Sequence, residues 1–474
     1  MRSRSGRLRI LGAAAAVLAF ALPAAAAPKA AGWRIPTAVR KLPNGLTVVV
    51  SEDRSSPTFG LCVVYRIGFR LEPKGRTGFA HLFEHMMFQG TPNAPKGTYD
   101  RVIESGGGIN NGSTRYDYTN YIVSAPVSAL DAILWLEADR MKMLDFSEKN
   151  LQNQKDVVKE EIRVNVKNRP YGLFFWTDVA AAAFSKWENA HDGYGSFADL
   201  DAATPADVKT FFETYYGPNN AVLAIVGDVS AEEAFAKVEK YFGAIPARAT
   251  PAKPDVDEKP NTKERLVEQT DPLANVPAVA VGWKLPSRGT PDDVPTAVLA
   301  SLLAGGEASR LYQGLVKGKE LLLGIEGGVN WPLGDPWTYE GPTLLTLFGL
   351  YKPDTTAKAV VAAIDEEIAK VARGEVTAAE LERTKTMMVS DLYAQLEMPM
   401  DRAVALSLTQ LFTGDAASVN AIPGKLAAVT RADVARVAST WLTAPNRVVV
   451  DRRPAPPAPA SPAPASAVPA EAGK

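Results

Sequence analysis

Two histidines and a glutamate stand close together in a chain that has only three histidines in 474 residues. They form the run His81-Leu82-Phe83-Glu84-His85. In a helix, residues four apart lie on one face, one turn from each other. Two imidazoles placed in this way can share one Zn²⁺ at about 2.0–2.1 Å. Glu84 stands beside them and can take a proton from water that the metal has made more acidic. The spacing predicts a catalytic zinc site.

A short motif can also arise by chance, with Glu84 as a surface charge on an ordinary helix. The neighbouring sequence favours the metal, because apolar residues surround the three polar ones: Phe79, Leu82, Phe83, Met86, Met87 and Phe88. Buried charge without a partner is costly, and a metal ion is the simplest partner.

An open catalytic zinc site needs a third protein ligand and keeps a fourth position for water. The helix predicted over residues 147–168 offers Glu160 and Glu161, which are adjacent. Helical periodicity does not decide between them, and each could equally lie on a solvated face.

The order His-x-x-Glu-His is the zincin motif reversed, which is the signature of the inverzincins. The surrounding stretch, residues 78–91, resembles the active-site helix of the pitrilysin/insulinase family, which includes mitochondrial processing peptidase. In that family, the third zinc ligand is a Glu roughly 75 residues after the motif. The resemblance therefore implies Glu161, 76 residues after His85, as the third ligand of one zinc ion per chain.

Several further stretches resemble the same family in the same order along the chain: residues 42–46, 107–121, 216–228 and 305–312. In the family, the strand matching the second stretch lines a substrate chamber, and a peptide adds to its edge. The resemblance thus implies that Asn110, Asn111 and Gly112 bind substrate. Alternatively, the two asparagines are only turn residues after a glycine run.

Two departures from the family are visible. Many members carry a supporting Glu seven residues before the third ligand, and this chain has Gln154, which implies tuning of the site and not its loss. Family halves opposite the zinc often carry an Arg and a Tyr that are missing from residues 317–325. A related zinc-less subunit could supply them, Lys317 or Lys319 could replace them, or they are dispensable. His191 is predicted to be structural.

The elements that position these residues fall into two halves with a similar order of strands and helices. Residues 33–245 are predicted as the zinc-binding catalytic domain, 246–262 as a Pro-, Ala- and Lys-rich linker, and 263–452 as a zinc-less homologous domain. Helices are predicted at 147–168, 171–186 and 308–317, among others, and a last strand at 447–451. Mixed elements without strict alternation favour an α+β fold. The resemblance implies two homologous domains, each a mainly antiparallel sheet flanked by helices. The segment 331–340 is a candidate cavity wall.

Both ends of the chain differ in composition from this centre. Four arginines, an apolar run over residues 10–22 and the small residues at 24–26 predict a signal peptide over 1–26. That run is too short to cross a bilayer, which needs about 20 residues. Residues 453–474 predict a disordered Pro/Ala-rich tail. We therefore expect a secreted protein, periplasmic if its source is Gram-negative.

Charge and cysteine content exclude other classes of function. The formal net charge is −1, without a basic stripe, so nucleic acid is not an expected partner. The single cysteine, Cys62, lies in an apolar run and is predicted to be a buried strand residue, so cysteine catalysis is excluded.

Together these features predict a zinc-dependent peptidase that hydrolyses unfolded or short peptides, with Glu84 as general base. It would act as a homodimer, or as a heterodimer with a related zinc-less subunit. The alternative is a non-catalytic peptide-binding or assembly subunit of a peptidase complex, or a chaperone-like peptide-binding module. A subunit without a catalytic task has no reason to keep buried polar residues, which favours the enzyme.

Overall fold

The structure, a computed structural model, describes residues 34–456. The predicted signal peptide and residues 457–474 of the predicted tail lie outside this range. In the described range, no helix combines the length and apolar character needed to cross a bilayer.

The first sheet is built from residues 38–227 and has six strands. They are β1 (Ala38–Lys41), β2 (Thr47–Glu52), β3 (Thr58–Tyr65), β4 (Ile109–Thr114), β5 (Thr119–Pro126) and β6 (Ala221–Gly227). Their order is β1-β2-β6-β3-β5-β4. Only β2 and β6 run parallel, and the other neighbours are antiparallel.

The second sheet is built from residues 265–454 and has five strands. They are β7 (Arg265–Asp271), β8 (Ala278–Leu285), β9 (Leu322–Val329), β10 (Thr343–Tyr351) and β11 (Arg447–Pro454). Their order, β7-β11-β8-β10-β9, repeats that of β2 to β6, and its first pair, β7 with β11, is again the parallel one. The repeated topology confirms the predicted α+β fold with two related, mainly antiparallel sheets.

Helices flank both sheets. They are α1 (Phe79–Met86), α2 (Thr98–Ser105), α3 (Leu130–Lys142), α4 (Glu148–Ile162), α5 (Thr177–Ala183), α6 (Trp187–Ala190), α7 (Phe197–Asp201), α8 (Pro205–Tyr215), α9 (Ala231–Phe242), α10 (Asp293–Ala304), α11 (Ala357–Ala372), α12 (Ala378–Gln395), α13 (Pro399–Thr413), α14 (Ile422–Ala428) and α15 (Arg431–Trp441). Short 3₁₀ turns occupy Phe69–Leu71, Val127–Ala129, Pro218–Asn220, Ala416–Ala421 and Ala444–Asn446, and π turns occupy Arg163–Lys167 and Tyr312–Gly318.

Three predicted elements have different bounds in the structure. The helix predicted at 171–186 begins only at Thr177, because Tyr171 and Gly172 have positive φ angles of 65° and 52°. The helix predicted at 308–317 is largely a π turn. The last strand extends three residues beyond the predicted Asp451, since its backbone continues to pair with β7 as far as Pro454.

The segment 246–261 contains no helix or strand, yet Glu258 attaches it to residues of both halves of the chain. The Glu258 carboxylate, whose side chain is fully buried, accepts hydrogen bonds from Ser185, from the Lys186 backbone and from Lys284 (2.9 Å). The segment is therefore tied in place.

Two apolar cores lie between the layers, and each draws on both halves of the chain. One face of the first sheet, with Val48 and Val63, packs on α1 and α3, in a core that also contains Ala280 and Val450 of the second sheet. The opposite face, with Val49 and Cys62, belongs to a second core with α10 and α13. Alternate strand residues thus serve different cores, as the period of a strand requires.

Two helices cross between the halves. Helix α13 comes from the second half and packs on β3 and β6, whereas α5 comes from the first half and packs on β8 and β11. Cys62 lies under α13, with Ser407 Oγ 3.2 Å from its sulfur, and burial raises the pKa of its thiol to about 12. The prediction that Cys62 is a buried strand residue is confirmed.

Candidate metal centre

Helix α1 presents His81 and His85 from one side while Leu82, Phe83 and Met86 are buried in the first core. The helix begins after Gly78, whose φ of 82° is open to glycine but costly for other residues. The ring centroids of the two histidines are 4.9 Å apart. The amphipathic pattern that predicted a helix here is therefore also what aligns the two imidazoles.

A buried carboxylate, Glu72, caps the start of this helix. It accepts hydrogen bonds from the backbone N–H groups of Gly78 (3.0 Å) and Ala80 (2.8 Å), which have no partner inside the helix. His191 Nε2 lies 3.0 Å from Glu72 Oε2, and His191 Nδ1 lies 2.8 Å from the Trp187 carbonyl. The structure thus places His191 in support of the cap and not among the metal-ligating atoms.

Burial opposes charge on both members of this pair, and the interaction between them acts against that effect. Burial raises the pKa of Glu72, although the bonds from His191 and the helix backbone lower it in part. For His191, burial lowers the pKa but Glu72 outweighs that effect, so the net shift is upward. Because the Trp187 carbonyl can only accept a hydrogen bond, His191 Nδ1 carries a proton whether the imidazole is neutral or charged.

Helix α4 brings Glu161 to the two histidines. Nε2 of His81 and Nε2 of His85 are 3.3 Å apart, and Glu161 Oε2 lies 3.5 Å from the first and 3.4 Å from the second. Tetrahedral zinc with bonds of about 2.0–2.1 Å requires ligand atoms roughly 3.3–3.4 Å apart. The three residues therefore fit a zinc ion, and together they form a cluster of potential metal ligands in the described part of the chain.

Glu160, the alternative third ligand, points away from this cluster. Its carboxylate accepts from Arg163 Nη1 at 2.9 Å, and its side chain is 62% exposed. The geometry thus favours Glu161, as the family resemblance implied.

The charges of the cluster depend on one another. Hydrogen bonds from His81 and His85 hold the pKa of Glu161 well below its ordinary value. Burial lowers the pKa of His81, but Glu161 and Glu84 together outweigh it, so the net shift is upward. The carboxylate is therefore ionised, as a metal ligand must be.

Glu84 is held beside the cluster by the edge strand β4. Thr114 Oγ1 donates to Glu84 Oε2 at 2.5 Å. A Cβ atom on Gly112 would lie 3.1 Å from Glu84 Cγ, which is tighter than an ordinary van der Waals contact, so a side chain here would press on Glu84. One carboxylate oxygen is thus oriented by the strand.

A cavity of about 340 Å³ opens in front of these residues. It is lined by Asn111, Gly112 and Arg115, and also by the apolar and aromatic side chains of Phe69, Trp176, Tyr194 and Leu333. Leu333 belongs to the predicted cavity wall 331–340, so that segment from the second half does reach a cavity.

The remaining predicted residues are placed differently. Asn110 lies in β4 but its amide donates to Asp100 (3.3 Å), and it does not line the cavity. Gln154 is buried in α4, where its amide donates to Asn153 Oδ1 (2.8 Å); the structure shows no hydrogen bond from it to the three ligands. Its supporting role and the substrate-binding role of β4 stay predictions.

Sequence reasoning missed Glu72, Arg115 and Tyr194. The Tyr194 ring stands edge-on to His81 with centroids 5.4 Å apart. Tyr194 is distant from the motif in sequence. Glu72 lies only seven residues before α1, but no standard capping pattern marks it. Arg115 directly follows the strand that resembles the family's substrate edge, and this position in the sequence could have marked it as a site residue.

The chain is similar in sequence to proteins of a known family. The sequence profile named insulinase (peptidase family M16) matches residues 47–186, and that named peptidase M16 inactive domain matches residues 202–388. Zinc protease PqqE of Helicobacter pylori is 31% identical over 367 residues, which is 76% of this chain and 80% of that protein. An uncharacterised zinc protease of Bacillus subtilis, YmxG, is 25% identical and covers 81% of this chain and 91% of its own length.

Solved structures show the same fold. A protease from Helicobacter pylori superposes with a TM-score of 0.81 at 27% identity, covering 89% of this chain and 100% of its own. The first half of the periplasmic protease PqqL from Escherichia coli gives a TM-score of 0.70 at 18% identity, covering 88% and 92%.

Proposed function

Because the chain belongs to peptidase family M16, the insulinase family, we propose that it is a zinc-dependent peptidase that hydrolyses unfolded or short peptides. The observation that carries the proposal is the mutual spacing of 3.3–3.5 Å among the nitrogen and oxygen atoms of His81, His85 and Glu161. One ion per chain would be held by these three residues. When bound, zinc supplies a Lewis acid that makes water more acidic and a peptide carbonyl more electrophilic.

Glu84 is the general base and then the general acid in this proposal. The Thr114 hydroxyl fixes one of its oxygens, which leaves the other free to accept a proton from the attacking water. The same carboxyl group then returns the proton to the departing amine, which must be protonated to leave.

Strand β4 is suited to position the peptide. Within the described residues it pairs only with β5, so no strand covers its other edge, which lies beside Glu84. A peptide that adds to this edge would be held by main-chain hydrogen bonds irrespective of its sequence. An extended, unfolded segment can do so, whereas a folded protein cannot.

The name "inactive domain" attaches to residues 202–388, whereas the three candidate ligands lie in the part matched by the insulinase profile. This division supports a catalytic first half and a second half that completes the cavity wall. We also propose export from the cytoplasm, and a dimer with either a second copy or a related zinc-less subunit.

The test is cleavage of a quenched, unstructured peptide by the zinc-loaded protein, with and without a chelator. Glu84→Gln should lower the rate by about 10²- to 10⁴-fold while zinc content is unchanged. Glu104→Gln, on the exposed surface of α2, is the control and should match the wild type.

Cleavage that a chelator does not abolish would contradict the proposal. If the zinc-loaded protein cleaves nothing alone but does so with a second subunit, the heterodimer is supported. If it also fails with that subunit, and Glu84→Gln changes no function, the non-catalytic alternative holds.

A further inference from the structure

One cation in the cavity has no carboxylate partner. Arg115 follows β4 directly, is half-buried and lines the cavity with His81, Glu84 and Glu161. Its Nε donates to the Leu333 carbonyl, and its Nη1 donates to the Thr114 carbonyl at 2.9 Å. Both acceptors are neutral, so they orient the guanidinium without neutralising it.

The neighbouring arginines differ in this respect. Arg70 pairs with Asp117 (2.7 Å) and Arg66 pairs with Glu340, so both have carboxylates. Over residues 34–456, Arg115 forms no ion pair within 4.0 Å. A half-buried guanidinium in a fixed orientation and without a counter-charge is unusual, because removing charge from water is costly unless a partner compensates.

With a divalent ion bound, the cavity would have no negative charge left to balance the Arg115 guanidinium. Glu84 and Glu161 are the carboxylates that line the cavity, and together they balance one divalent ion. The aromatic side chains of Phe69, Trp176 and Tyr194 also line the cavity, and an ion pair formed in this partly buried place is screened less than one on the open surface. The cavity therefore favours an anionic group next to the reacting bond.

We propose that Arg115 binds a carboxylate of the substrate peptide, an inference that rests on the proposed peptidase function. The planar guanidinium is already oriented by two backbone carbonyls, and its second terminal nitrogen is available for a charge-assisted hydrogen bond. A peptide carries carboxylates at its C-terminus and on Asp and Glu side chains. The chemistry is the same for both, and the experiment separates them.

The experiment compares two pairs of quenched peptides of otherwise identical sequence. The first pair differs in its C-terminus, free acid or amide, and the second has Glu or Gln next to the cleaved bond. For the preferred carboxylate we expect kcat/KM about 10- to 100-fold above that of its neutral counterpart. Arg115→Gln should bring this ratio close to one, and Arg115→Lys should retain part of it.

The matched control is Arg101→Gln on α2, an exposed arginine whose recorded partner is the Thr98 hydroxyl (3.1 Å). It should keep the wild-type ratio. A second readout is equilibrium binding of the same peptides to the Glu84→Gln protein, which needs no turnover. The urea midpoint of Arg115→Gln shows whether the Leu333 contact is mainly structural.

A contrast in the first pair assigns the C-terminal carboxylate, and a contrast in the second assigns an acidic side chain. If peptides are cleaved without contrast in either pair, the Arg115 inference is wrong and the peptidase proposal stands. If no peptide is cleaved, binding decides: a contrast that Arg115→Gln removes supports the inference even though the enzyme proposal fails. An equal loss for all peptides together with a lower urea midpoint would make Arg115 structural and overturn the inference.

Discussion

At the metal centre, the adjacent carboxylates Glu160 and Glu161 contact different partners. The first is exposed and paired with Arg163, whereas the second meets both histidines. A difference of one residue rotates a side chain by about 100° around a helix axis, so the two carboxylates cannot share one role.

Glu161→Gln should weaken zinc binding by more than the roughly 10- to 100-fold that losing an outer partner costs. The physical reason is that the amide removes the one negative charge from the ligand set. Competition with a chromophoric chelator measures the affinity. Glu160→Gln is the matched control and should bind zinc as the wild type does; an equal loss in both variants would mean that the wrong ligand has been assigned.

The sequence was sufficient to place His81 and His85 on a common face of α1 with Glu84 beside them, because residues four apart in a helix lie one turn from each other. It was not sufficient to choose Glu161 over Glu160, since the apolar pattern of α4 does not show which face meets α1. Tyr194 contacts His81, and Arg115 contacts Leu333, across elements distant in sequence, so these contacts leave no local pattern. Glu72 is close to α1 in sequence but lies outside the standard capping positions.

At the scale of elements, the position of α1 depends on a residue seven positions before it. Glu72 satisfies two free N–H groups of the helix and is itself held by His191. The apolar face of α1 fixes its depth in the core, and this cap fixes its start.

Glu72→Ala should lower the free energy of unfolding by about 1–3 kcal/mol, because it leaves buried donors without acceptors. It should also weaken zinc binding, although Glu72 does not touch the ligands. Urea unfolding and chelator competition measure the two effects. Glu213→Ala, 59% exposed on α8, is the control. Unaltered zinc affinity despite lower stability would show that packing alone positions the helix.

The segment between the two sheets yields a prediction about pH. Burial would raise the pKa of Glu258, but hydrogen bonds from Ser185, Lys186 and Lys284 outweigh it and lower the pKa from 4.5 to about 2. A group whose pKa is lowered on folding stabilises the protein above its unfolded pKa. That contribution, on the order of 2 kcal/mol, is lost as the pH falls from about 4.5 to about 2.

Glu258→Gln should therefore be less stable than the wild type at pH 7, and the difference should shrink as the pH falls through this window. Urea unfolding at several pH values measures it. Asp257→Asn alters the exposed neighbouring carboxylate and should show no such convergence. A difference that stays constant from pH 7 to pH 3 would contradict the role given to Glu258.

Strands and helices of the interior were predictable because their apolar periods are long and regular. The edge strands β1 and β7 were not, since most of their residues are exposed and show no apolar pattern. Tyr171 explains why α5 begins later than predicted. Its φ is positive, and its backbone N–H donates a hydrogen bond to Asp271, a hundred residues away, which no local sequence pattern reveals.

At the scale of the unit formed by residues 35–456, the exchange of α5 and α13 makes the two halves interdependent. A Cβ atom on Gly60 of β3 would lie 2.3 Å from the Met400 backbone nitrogen of α13. The helix can approach the sheet this closely only because position 60 has no side chain.

Gly60→Ala should lower the free energy of unfolding by about 1–3 kcal/mol, because either the strand or the helix must shift. Gly424→Ala is the matched control: it lies in α14 with no atom within 4 Å of the added Cβ. That substitution should be neutral or stabilise by about 0.5–1 kcal/mol. Denaturant midpoints measure both. Equal midpoints for the two variants would mean that α13 does not press on the sheet in solution.

The distance in sequence between Cys62 and Ser407, which meet under α13, is 345 residues. Ribosomes add about 5–20 residues per second, so roughly 20–70 seconds pass between the synthesis of β3 and that of the helix that covers it. During this interval the emerging first half lacks α10 and α13, the helices that cover one apolar face of its sheet in the folded protein. The exposure of this face is set by the rate of translation, and slower synthesis of the second half should increase the loss of newly made protein to aggregation.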